Sequence, residues 1–242
     1  MASHSTIEWT ESTWNPLTGC TKIGPGCKHC YAERMAKRLK AMGQRNYRRG
    51  FKLTLHPHVV ELPLTWRKPQ AIFVNSMSDL FHEDVPVEFI QSVFETMRRA
   101  DWHRFQVLTK RSGRLAELAA EIEWTDNVWM GVSIETDDCT YRADNLRATP
   151  AHTKFLSLEP LLGPLPSLDL SDIDWAIVGG ESGPKARAMD IGWAREIRDM
   201  CADASVPFFL KQLGGYPKKR GGEEAVLDGR TWGELPVIAA PA

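Results

Sequence analysis

Three closely spaced cysteines are the residues of this 242-residue chain whose types and spacing are best suited to chemistry. Cys20, Cys27 and Cys30 fall within eleven residues, and two residues separate the last pair. A gap of this length lets one tight turn direct two thiolates at one metal centre. Residues 24–26, Gly-Pro-Gly, allow the chain to fold back so that Cys20 joins them. The spacing therefore predicts a metal site with sulfur ligands.

Two kinds of metal centre fit three thiolates, and the cysteine spacing leaves both open. A structural zinc site needs a fourth ligand, for which the candidates are His4, His29, His56 and His58. A cubane iron–sulfur cluster held by three cysteines instead leaves one iron free for a small molecule. The five cysteines are an odd number in a long chain, which favours a metal or redox site in a reducing compartment over a disulfide framework.

The elements that must position these cysteines are indicated by short apolar runs that alternate with amphipathic segments. The predicted strands are Ala71–Ser76, Phe105–Thr109, Val128–Ser133, Thr153–Leu158, Trp175–Val178 and Pro207–Leu210. The predicted helices are Val87–Arg99, one capped by Ser112, one near Asp137–Arg147, and Trp193–Ala204. Strands separated by helices pair in parallel. The pattern predicts an α/β fold, a partial or complete (β/α) barrel, with a doubly wound open sheet as the competing architecture.

Polar side chains follow each predicted strand, where barrels and open α/β sheets carry their chemistry. They are Asn75, Ser76, Ser78 and Asp79; Thr109, Lys110 and Arg111; Ser133 and Glu135; Glu159; Glu181 and Ser182; and Lys211 and Gln212. Any one of them alone is equally well explained as a helix cap or loop residue. The same character at six strand ends predicts a site at the carboxyl edge of the sheet.

The domain organisation predicted from the same pattern is one barrel with an appendage. Residues 1–213 form the (β/α) barrel with an N-terminal cysteine loop, and residues 214–242 form an irregular extension rich in Gly, Pro and charge that packs on the barrel. No apolar stretch approaches the length that crosses a bilayer, and residues 1–15 do not have the pattern of a secretory signal. We expect a cytoplasmic protein without a membrane partner.

Nucleic acid is the macromolecular partner that the distribution of charge favours. The net charge is only −1, so bulk electrostatics cannot drive binding. The segment from residue 34 to residue 52 nevertheless carries eight basic residues, with Glu33 as the one acid beside them and Tyr47 and Phe51 between them. Cations that neutralise phosphates beside rings that stack on bases are typical of nucleic-acid binding; the alternative is a solvated helix face followed by a mobile loop. The proposed contacts are Arg45, Arg48 and Arg49.

A second candidate phosphate site is the glycine-rich turn Gly179-Gly-Glu-Ser-Gly183. Backbone amides of such a turn, with Lys185 and Arg187 behind it, suit a phosphate of the substrate backbone. Glu181 within the turn and Lys211 at the last strand complete the predicted substrate contacts. An ordinary solvated turn is the alternative.

The cysteine loop and the predicted barrel resemble the radical S-adenosylmethionine superfamily. Longer stretches are similar to its phage-type three-cysteine-motif branch, which is related to spore photoproduct lyase. These stretches are Ile7-Glu8-Trp9-Thr10, Trp14-Asn15-Pro16, Gly19-Cys20-Thr21-Lys22, Cys30-Tyr31-Ala32-Glu33-Arg34, Phe73-Val-Asn-Ser-Met-Ser-Asp-Leu-Phe81, Leu108-Thr-Lys-Arg111 and Gly179-Gly-Glu-Ser-Gly183. The first gap between cysteines is six residues here, whereas three is common in the superfamily.

The resemblance implies a [4Fe-4S] cluster held by Cys20, Cys27 and Cys30, with S-adenosylmethionine on the free iron. One electron, from a donor such as flavodoxin or ferredoxin, then yields a 5′-deoxyadenosyl radical that abstracts hydrogen from the substrate. The resemblance also suggests which residues surround this cofactor. His29 or Tyr31 would lie beside the cluster or the adenine, and Ser76, Ser78 or Asp79 would bind the methionine ammonium. Lys110 would pair with the methionine carboxylate, and Ser133 or Glu135 would bind the ribose hydroxyls. Asn75-Ser-Met-Ser-Asp79 stands where related enzymes have Gly-Gly-Glu.

The relation to spore photoproduct lyase implies light-independent repair of ultraviolet-induced pyrimidine photoproducts in DNA. Cys139 is the candidate hydrogen-atom donor to a substrate radical, with a buried, idle thiol as the alternative. Two other functions stay open. The same radical chemistry can act on an RNA base or a peptide, or the cysteines can hold zinc in a non-catalytic module that binds nucleic acid.

Overall fold

A computed structural model describes residues 3–5 and 7–237 of the chain. The strands are β1 Ser3–His4, β2 Ser12–Trp14, β3 Leu17–Thr18, β4 Thr54–Leu55, β5 Ala71–Val74, β6 Arg104–Thr109, β7 Val128–Ser133, β8 Thr153–Leu158, β9 Trp175–Gly179, β10 Phe208–Gln212, β11 Val226–Leu227 and β12 Arg230–Thr231. The α-helices are α1 Tyr31–Ala41, α2 Val87–Arg99, α3 Ser112–Leu118, α4 Tyr141–Arg147 and α5 Ile191–Ala204.

The main sheet is a curled half-barrel of seven parallel strands. Its order is β2-β5-β6-β7-β8-β9-β10, and β1 is added antiparallel to β2 at one edge. From β5 onwards each strand lies beside the next strand of the parallel sheet along the chain, as right-handed crossovers dictate. The predicted α/β partial barrel is thereby confirmed, and the open doubly wound sheet is excluded.

Most element boundaries lie within two residues of those predicted from periodicity; β10 ends at Gln212 rather than at Leu210, and α5 begins at Ile191 rather than at Trp193. Three further details differ. The strand at residues 71–76 ends at Val74, because Asn75 takes a left-handed conformation with φ of 60°. Ser112 is the first residue of α3 rather than its cap, and its buried hydroxyl accepts a hydrogen bond from Asn145. The helix predicted near residues 137–147 divides into a 3-10 turn, Asp137–Cys139, and α4.

The sheet separates two apolar clusters because side chains alternate between its faces. On the helix side lies the large core, which includes Ile72, Val107 and Phe208. The inner side of the half-barrel is filled by seven residues that form an aromatic plug. They are Trp9, Phe73, Trp129, Phe155, Trp175, Ile177 and Phe209. Edge-to-face ring pairs, such as Trp9 with Trp175 at 6.1 Å between centroids, join them.

Residues 214–237 lie against β10, the last strand of the half-barrel. The backbone N–H of Leu210 donates to the Trp232 carbonyl, and Trp175 Nε1 donates to the Glu234 carbonyl at 2.8 Å. An ion pair of 2.7 Å between Lys219 and Glu8 joins this segment to the N-terminal segment. The edge of β10 is therefore covered. The division at residue 213 stays a prediction, and residues 238–242 lie outside the described part of the chain.

No helix within the described ranges has the length and apolar character needed to cross a lipid bilayer.

The packing of the plug leads to a first testable prediction, at Gly131 in β7. A Cβ atom there would lie 2.5 Å from the ring of Phe155. We expect Gly131→Ala to lower the free energy of unfolding by about 1–3 kcal/mol, because the ring must move out of a filled interior. Urea unfolding followed by tryptophan fluorescence measures the change.

The matched control is Gly113→Ala in α3, where an added Cβ meets no atom within 4 Å. The same substitution should raise stability there by roughly 0.5–1 kcal/mol, since alanine is the better helix former. Equal effects at the two positions would contradict the packing argument.

Candidate functional site

A cavity of about 240 Å³ opens at the carboxyl ends of the parallel strands. Its floor is the upper surface of the aromatic plug, through Trp9, Phe73 and the neighbouring Leu108. Residues at or just after the ends of β5 through β10 form its sides, and the loop of residues 20–30 closes it. The inner face of the sheet thus changes from aromatic at its amino half to polar and hollow at its carboxyl half.

The three predicted metal ligands, Cys20, Cys27 and Cys30, all line this cavity and are partly buried. Within the described residues, no three Cys, His, Asp or Glu side chains converge as a single ion requires. Such convergence is not needed by a cluster with inorganic sulfide, because each thiolate binds a different iron. Three thiolates that line one cavity are a donor set that such a cluster can use.

None of the three described histidine side chains suggested as a fourth zinc ligand completes a site with the cysteines. His29 is hydrogen-bonded to Glu181, and buried His56 is 2.9 Å from the Thr18 hydroxyl. His58 packs with its ring against His56, and the side chain of His4 lies outside the described ones. Of the three described histidines, His29 alone lines the cavity.

Arg111, just beyond β6, holds the first cysteine. Its Nη1 donates to Cys20 Sγ at 3.4 Å and to Asp79 Oδ2 at 3.1 Å, and its Nη2 donates to Thr21 Oγ1 at 2.9 Å. Burial, with a further contribution from the Asp79 carboxylate, raises the pKa of the Cys20 thiol to about 11 against the opposing effect of Arg111. The thiol is therefore neutral at pH 7 until a metal displaces its proton.

Glu181, just beyond β9, holds the other end of the cysteine loop. Its carboxylate accepts from His29 Nδ1 at 3.0 Å and from the backbone N–H and guanidinium of Arg187 at 2.6–3.0 Å. Arg187 also donates to the Pro25 carbonyl at 3.0 Å. Burial by itself raises the pKa of Glu181, but the hydrogen bonds from Arg187 and His29 outweigh it and lower that pKa to about 2.

The middle of the loop rests on Glu135, just beyond β7. A Cβ on Gly26 would lie 2.5 Å from Glu135 Cγ, so only glycine permits this approach. The Glu135 carboxylate is wholly buried and forms ion pairs with Lys110 and Arg142. Glu135 therefore supports the loop from below and does not line the cavity, whereas Ser133 and Lys110 do.

Ser76, Ser78 and Asp79, the predicted contacts of the methionine ammonium, line the cavity, but their polar atoms are engaged by the protein. Asp79 accepts from Thr109, Lys110, Phe81 and Arg111. The Ser78 hydroxyl donates to the Leu17 carbonyl, and the Ser76 hydroxyl lies 3.3 Å from the Asn15 amide. Tyr31, also in the lining, donates to the Ser76 carbonyl at 2.6 Å. These residues shape the wall at the end of β5.

Asn75 at this wall was noted from the sequence as a polar strand end but was not assigned a contact with cofactor or substrate. Its side chain is 3% exposed and lines the cavity, yet neither its Oδ1 nor its Nδ2 has a hydrogen-bond partner among the described residues. An unpartnered buried amide costs free energy unless a ligand or water satisfies it. Its position directly after a buried strand was the available signal. Asn75 is thus a further candidate for contact with a ligand.

Glu159 and Lys211 form the opposite wall. Lys211 Nζ lies 2.7 Å and 2.9 Å from the two Glu159 oxygens, and Gln212 Nε2 donates to the same carboxylate at 3.0 Å. Both charged side chains line the cavity. Lys211 was predicted as a substrate contact, and Glu159 was noted only as a polar strand end. Together they present a cation and an anion side by side, from the ends of β8 and β10 on either side of β9.

The remaining predicted residues lie outside the cavity lining. Cys139 is 8% exposed within the large core, with its Sγ 3.6 Å from the Thr136 hydroxyl, so its position offers no support for a hydrogen-donor role. Lys185 and Arg187 lie on the loop after β9, where Arg187 is bound to Glu181. Arg45, Arg48 and Arg49 are exposed on the segment that follows α1.

Solved structures of spore photoproduct lyase share this half-barrel. A cysteine-to-serine mutant of that enzyme superposes with a TM-score of 0.53 at 12% identity, covering 84% of this chain and 75% of the lyase chain. A cysteine-to-alanine mutant with dinucleoside spore photoproduct gives 0.50 at 13% identity and 74% coverage of this chain. The chain spans 57% of the length of that second lyase. At this identity the likeness establishes the fold.

The fold and site together define a half-barrel protein with a three-cysteine cavity at the carboxyl edge of its sheet. Residues 4–236 match the family model described as "Protein of unknown function (DUF5131)", and the chain belongs to that family. No curated protein matches the chain.

The contacts of Glu181 predict that part of the free energy of unfolding is lost in acid. A carboxylate whose pKa falls from 4.5 to about 2 on folding stabilises the fold above pH 4.5, and this contribution is lost as the pH falls towards 2. Its size is about 3 kcal/mol. We expect the stability of Glu181→Gln to fall less than that of the wild type between pH 4.5 and 2, as measured by urea unfolding at a series of pH values.

The control is Glu88→Gln, a change at an exposed residue of α2. It should keep the pH profile of the wild type. A Glu181→Gln profile parallel to the wild type over this range would show that the carboxylate is not held by Arg187 and His29.

Proposed function

We propose that the protein is a radical S-adenosylmethionine enzyme with a [4Fe-4S] cluster that acts on nucleic acid. The observation that carries the proposal is that Cys20, Cys27 and Cys30 line one cavity at the carboxyl ends of a parallel half-barrel, with no fourth protein ligand converging on them among the described residues. Three thiolates leave one iron of a cubane for a small molecule. The similarity of the motif stretches to the phage-type branch supports the same assignment.

In this proposal the cysteine loop holds the cluster, and the strand ends hold S-adenosylmethionine. When bound, the two groups supply a 5′-deoxyadenosyl radical by one-electron cleavage of a sulfonium C–S bond. Asn75 offers an unpartnered donor and acceptor to the methionine or ribose end, and Lys110, whose ammonium also pairs with Glu135, offers a cation to a carboxylate. The plug beneath, through Trp9 and Phe73, closes the floor with apolar surface and keeps water away from a radical.

Nucleic acid is supported as the substrate class by the segment that follows the cysteine loop. α1 begins one residue after Cys30, and exposed cations continue from it through Arg45, Arg48 and Arg49. No acidic side chain of the described residues pairs with these three arginines, unlike Arg195, which is bound to Asp228. They are therefore available for phosphates. Tyr31 is the first residue of α1 and also lines the cavity, so it connects the segment of exposed arginines to the candidate site.

Within nucleic acids, we propose a pyrimidine photoproduct of DNA as the substrate. The lyase with a related half-barrel is described with dinucleoside spore photoproduct, and the cavity lies below the surface. A base must leave the helical stack to reach such a cavity, which costs a few kcal/mol and less at a damaged pair. The cost favours lesions over normal bases.

Anaerobic reconstitution tests the cofactor assignment. With iron and sulfide, the wild type should turn brown and bind about four iron and four sulfide per chain. After reduction with dithionite it should cleave S-adenosylmethionine to methionine and 5′-deoxyadenosine. Cys27→Ala should lose both properties, whereas Cys201→Ala, a change in the large core, should keep them. A colourless protein that retains zinc would refute the assignment.

Binding to an oligonucleotide tests the proposed nucleic-acid surface. Replacement of Arg45, Arg48 and Arg49 by Gln should weaken binding and reduce the slope of log K against log salt by roughly 2–3, since each lost contact with a phosphate contributes about 0.7–0.9. Fluorescence anisotropy measures both quantities.

The control is Arg67→Gln with Lys68→Gln, two exposed cations before β5 at the amino edge of the sheet. It should bind like the wild type. Incubating the reconstituted enzyme with irradiated and unirradiated DNA then separates the substrates, because lesion repair alone requires irradiation. Turnover of unirradiated nucleic acid or of a peptide instead would replace DNA repair by a modification reaction.

A further inference from the structure

The side chain of Arg111 is a cationic group in hydrogen-bond contact with a cysteine of the loop. Its side chain is 3% exposed, and the guanidinium donates through Nη1 to Cys20 Sγ at 3.4 Å. Hydrogen bonds from cations to thiolates are stronger than those from neutral donors, and burial strengthens them further. This contact is therefore a place where the protein acts directly on a ligand sulfur.

The guanidinium is held in this position by three partners on two segments, the cysteine loop and the connection between β5 and α2. Asp79 Oδ2 accepts from Nη1 at 3.1 Å, both oxygens of Glu83 accept from Nε at 2.9 Å, and Thr21 accepts from Nη2 through its hydroxyl and carbonyl. Asp79 is itself fixed by Thr109 and two backbone N–H groups. The direction of the N–H bond towards Cys20 is thus fixed before any cofactor binds.

Cys20 needs such a contact more than the other two cysteines do. Cys27 and Cys30 lie in one turn, whereas six residues separate Cys20 from Cys27. Thr21 beside it is bound both by Arg111 Nη2 and by the ring of His82, at 2.9 Å each. The start of the loop is therefore fastened to the end of β6 rather than to the other cysteines.

We propose that Arg111 is a positioning residue that sets the reduction potential of the cluster by donating a hydrogen bond to Cys20. The inference rests on the proposed function. A one-electron reduction by dithionite adds negative charge, with no bond made or broken and no proton transferred. A fixed cation stabilises the more negative state, so Arg111 raises the reduction potential. Its loss makes the cluster harder to reduce.

An electron paramagnetic resonance redox titration of the reconstituted protein tests this inference. We expect Arg111→Gln to lower the equilibrium constant for reduction at least tenfold, which is about 59 mV for one electron. Arg114→Gln is the matched control. Arg114 lies three residues further on, donates to the carbonyls of His82 and Val85, and does not contact a described cysteine. It should titrate like the wild type.

Removal of Arg111 leaves the buried Asp79 carboxylate unpaired, which can prevent folding. The comparison is therefore repeated in an Asp79→Asn background, where no buried charge is left without a partner. The equilibrium constant for reduction of the cluster should again be at least tenfold lower in the double variant Arg111→Gln with Asp79→Asn than in Asp79→Asn alone. Circular dichroism and bound iron and sulfide establish that each variant is folded and loaded.

The outcomes separate the two proposals. Variants that bind less iron but reduce at the potential of their parent would overturn the inference, because Arg111 would then act only as a structural clamp. In that case the proposed function stands. A wild type that assembles no cluster overturns the proposed function and the inference with it.

Discussion

The structure depends on the docking of a short polar loop onto buried charged side chains at the carboxyl ends of parallel strands. Residues 20–30 contain no strand or α-helix of their own, only a 3-10 turn at Pro25–Cys27. Three groups beyond β6, β7 and β9 hold them, namely Arg111, Glu135 and Glu181. Because buried charges are costly unless they are paired, these groups accept few alternative arrangements. The positions of the cysteines follow from that restriction.

Side chains alternate between the two faces of each strand, and the sizes of those that face inward explain why a cavity exists beside this loop. Inward-facing positions along β7 include Trp129, Gly131 and Ser133, and along β8 they include Phe155 and Ser157. On each strand the large ring lies nearer the amino end, and a small or polar side chain lies at the carboxyl end. The rings fill the half-barrel at its amino end, and the small residues leave it open at the carboxyl end. An apolar floor therefore lies under a wall that carries many polar groups.

The wall residues differ in how far the protein already satisfies them. Asp79, Glu181 and Glu159 each accept several hydrogen bonds from the chain, so they serve mainly to hold neighbouring groups. Within the described part of the chain, Asn75 has no partner for either side-chain polar atom. This contrast distinguishes residues that build the site from one that is free to meet a ligand. It could be read only from contacts, because the residue types alone fit either role.

The sequence alone determined the order of β5 to β10 and of the helices between them, a parallel sheet forming a partial or complete barrel, and the position of the cysteine loop, because these follow from local periodicity and spacing. Val87–Arg99 and Val128–Ser133 were predicted with the boundaries that the structure has. The short strand β2 was missed because its three residues give too little pattern. Only the tertiary structure decided that Glu135 lies beneath the loop, that Cys139 lies in the core, and that Arg111 contacts Cys20. Such pairings join residues far apart along the chain, and their geometry is fixed by packing across the sheet rather than by any local signal.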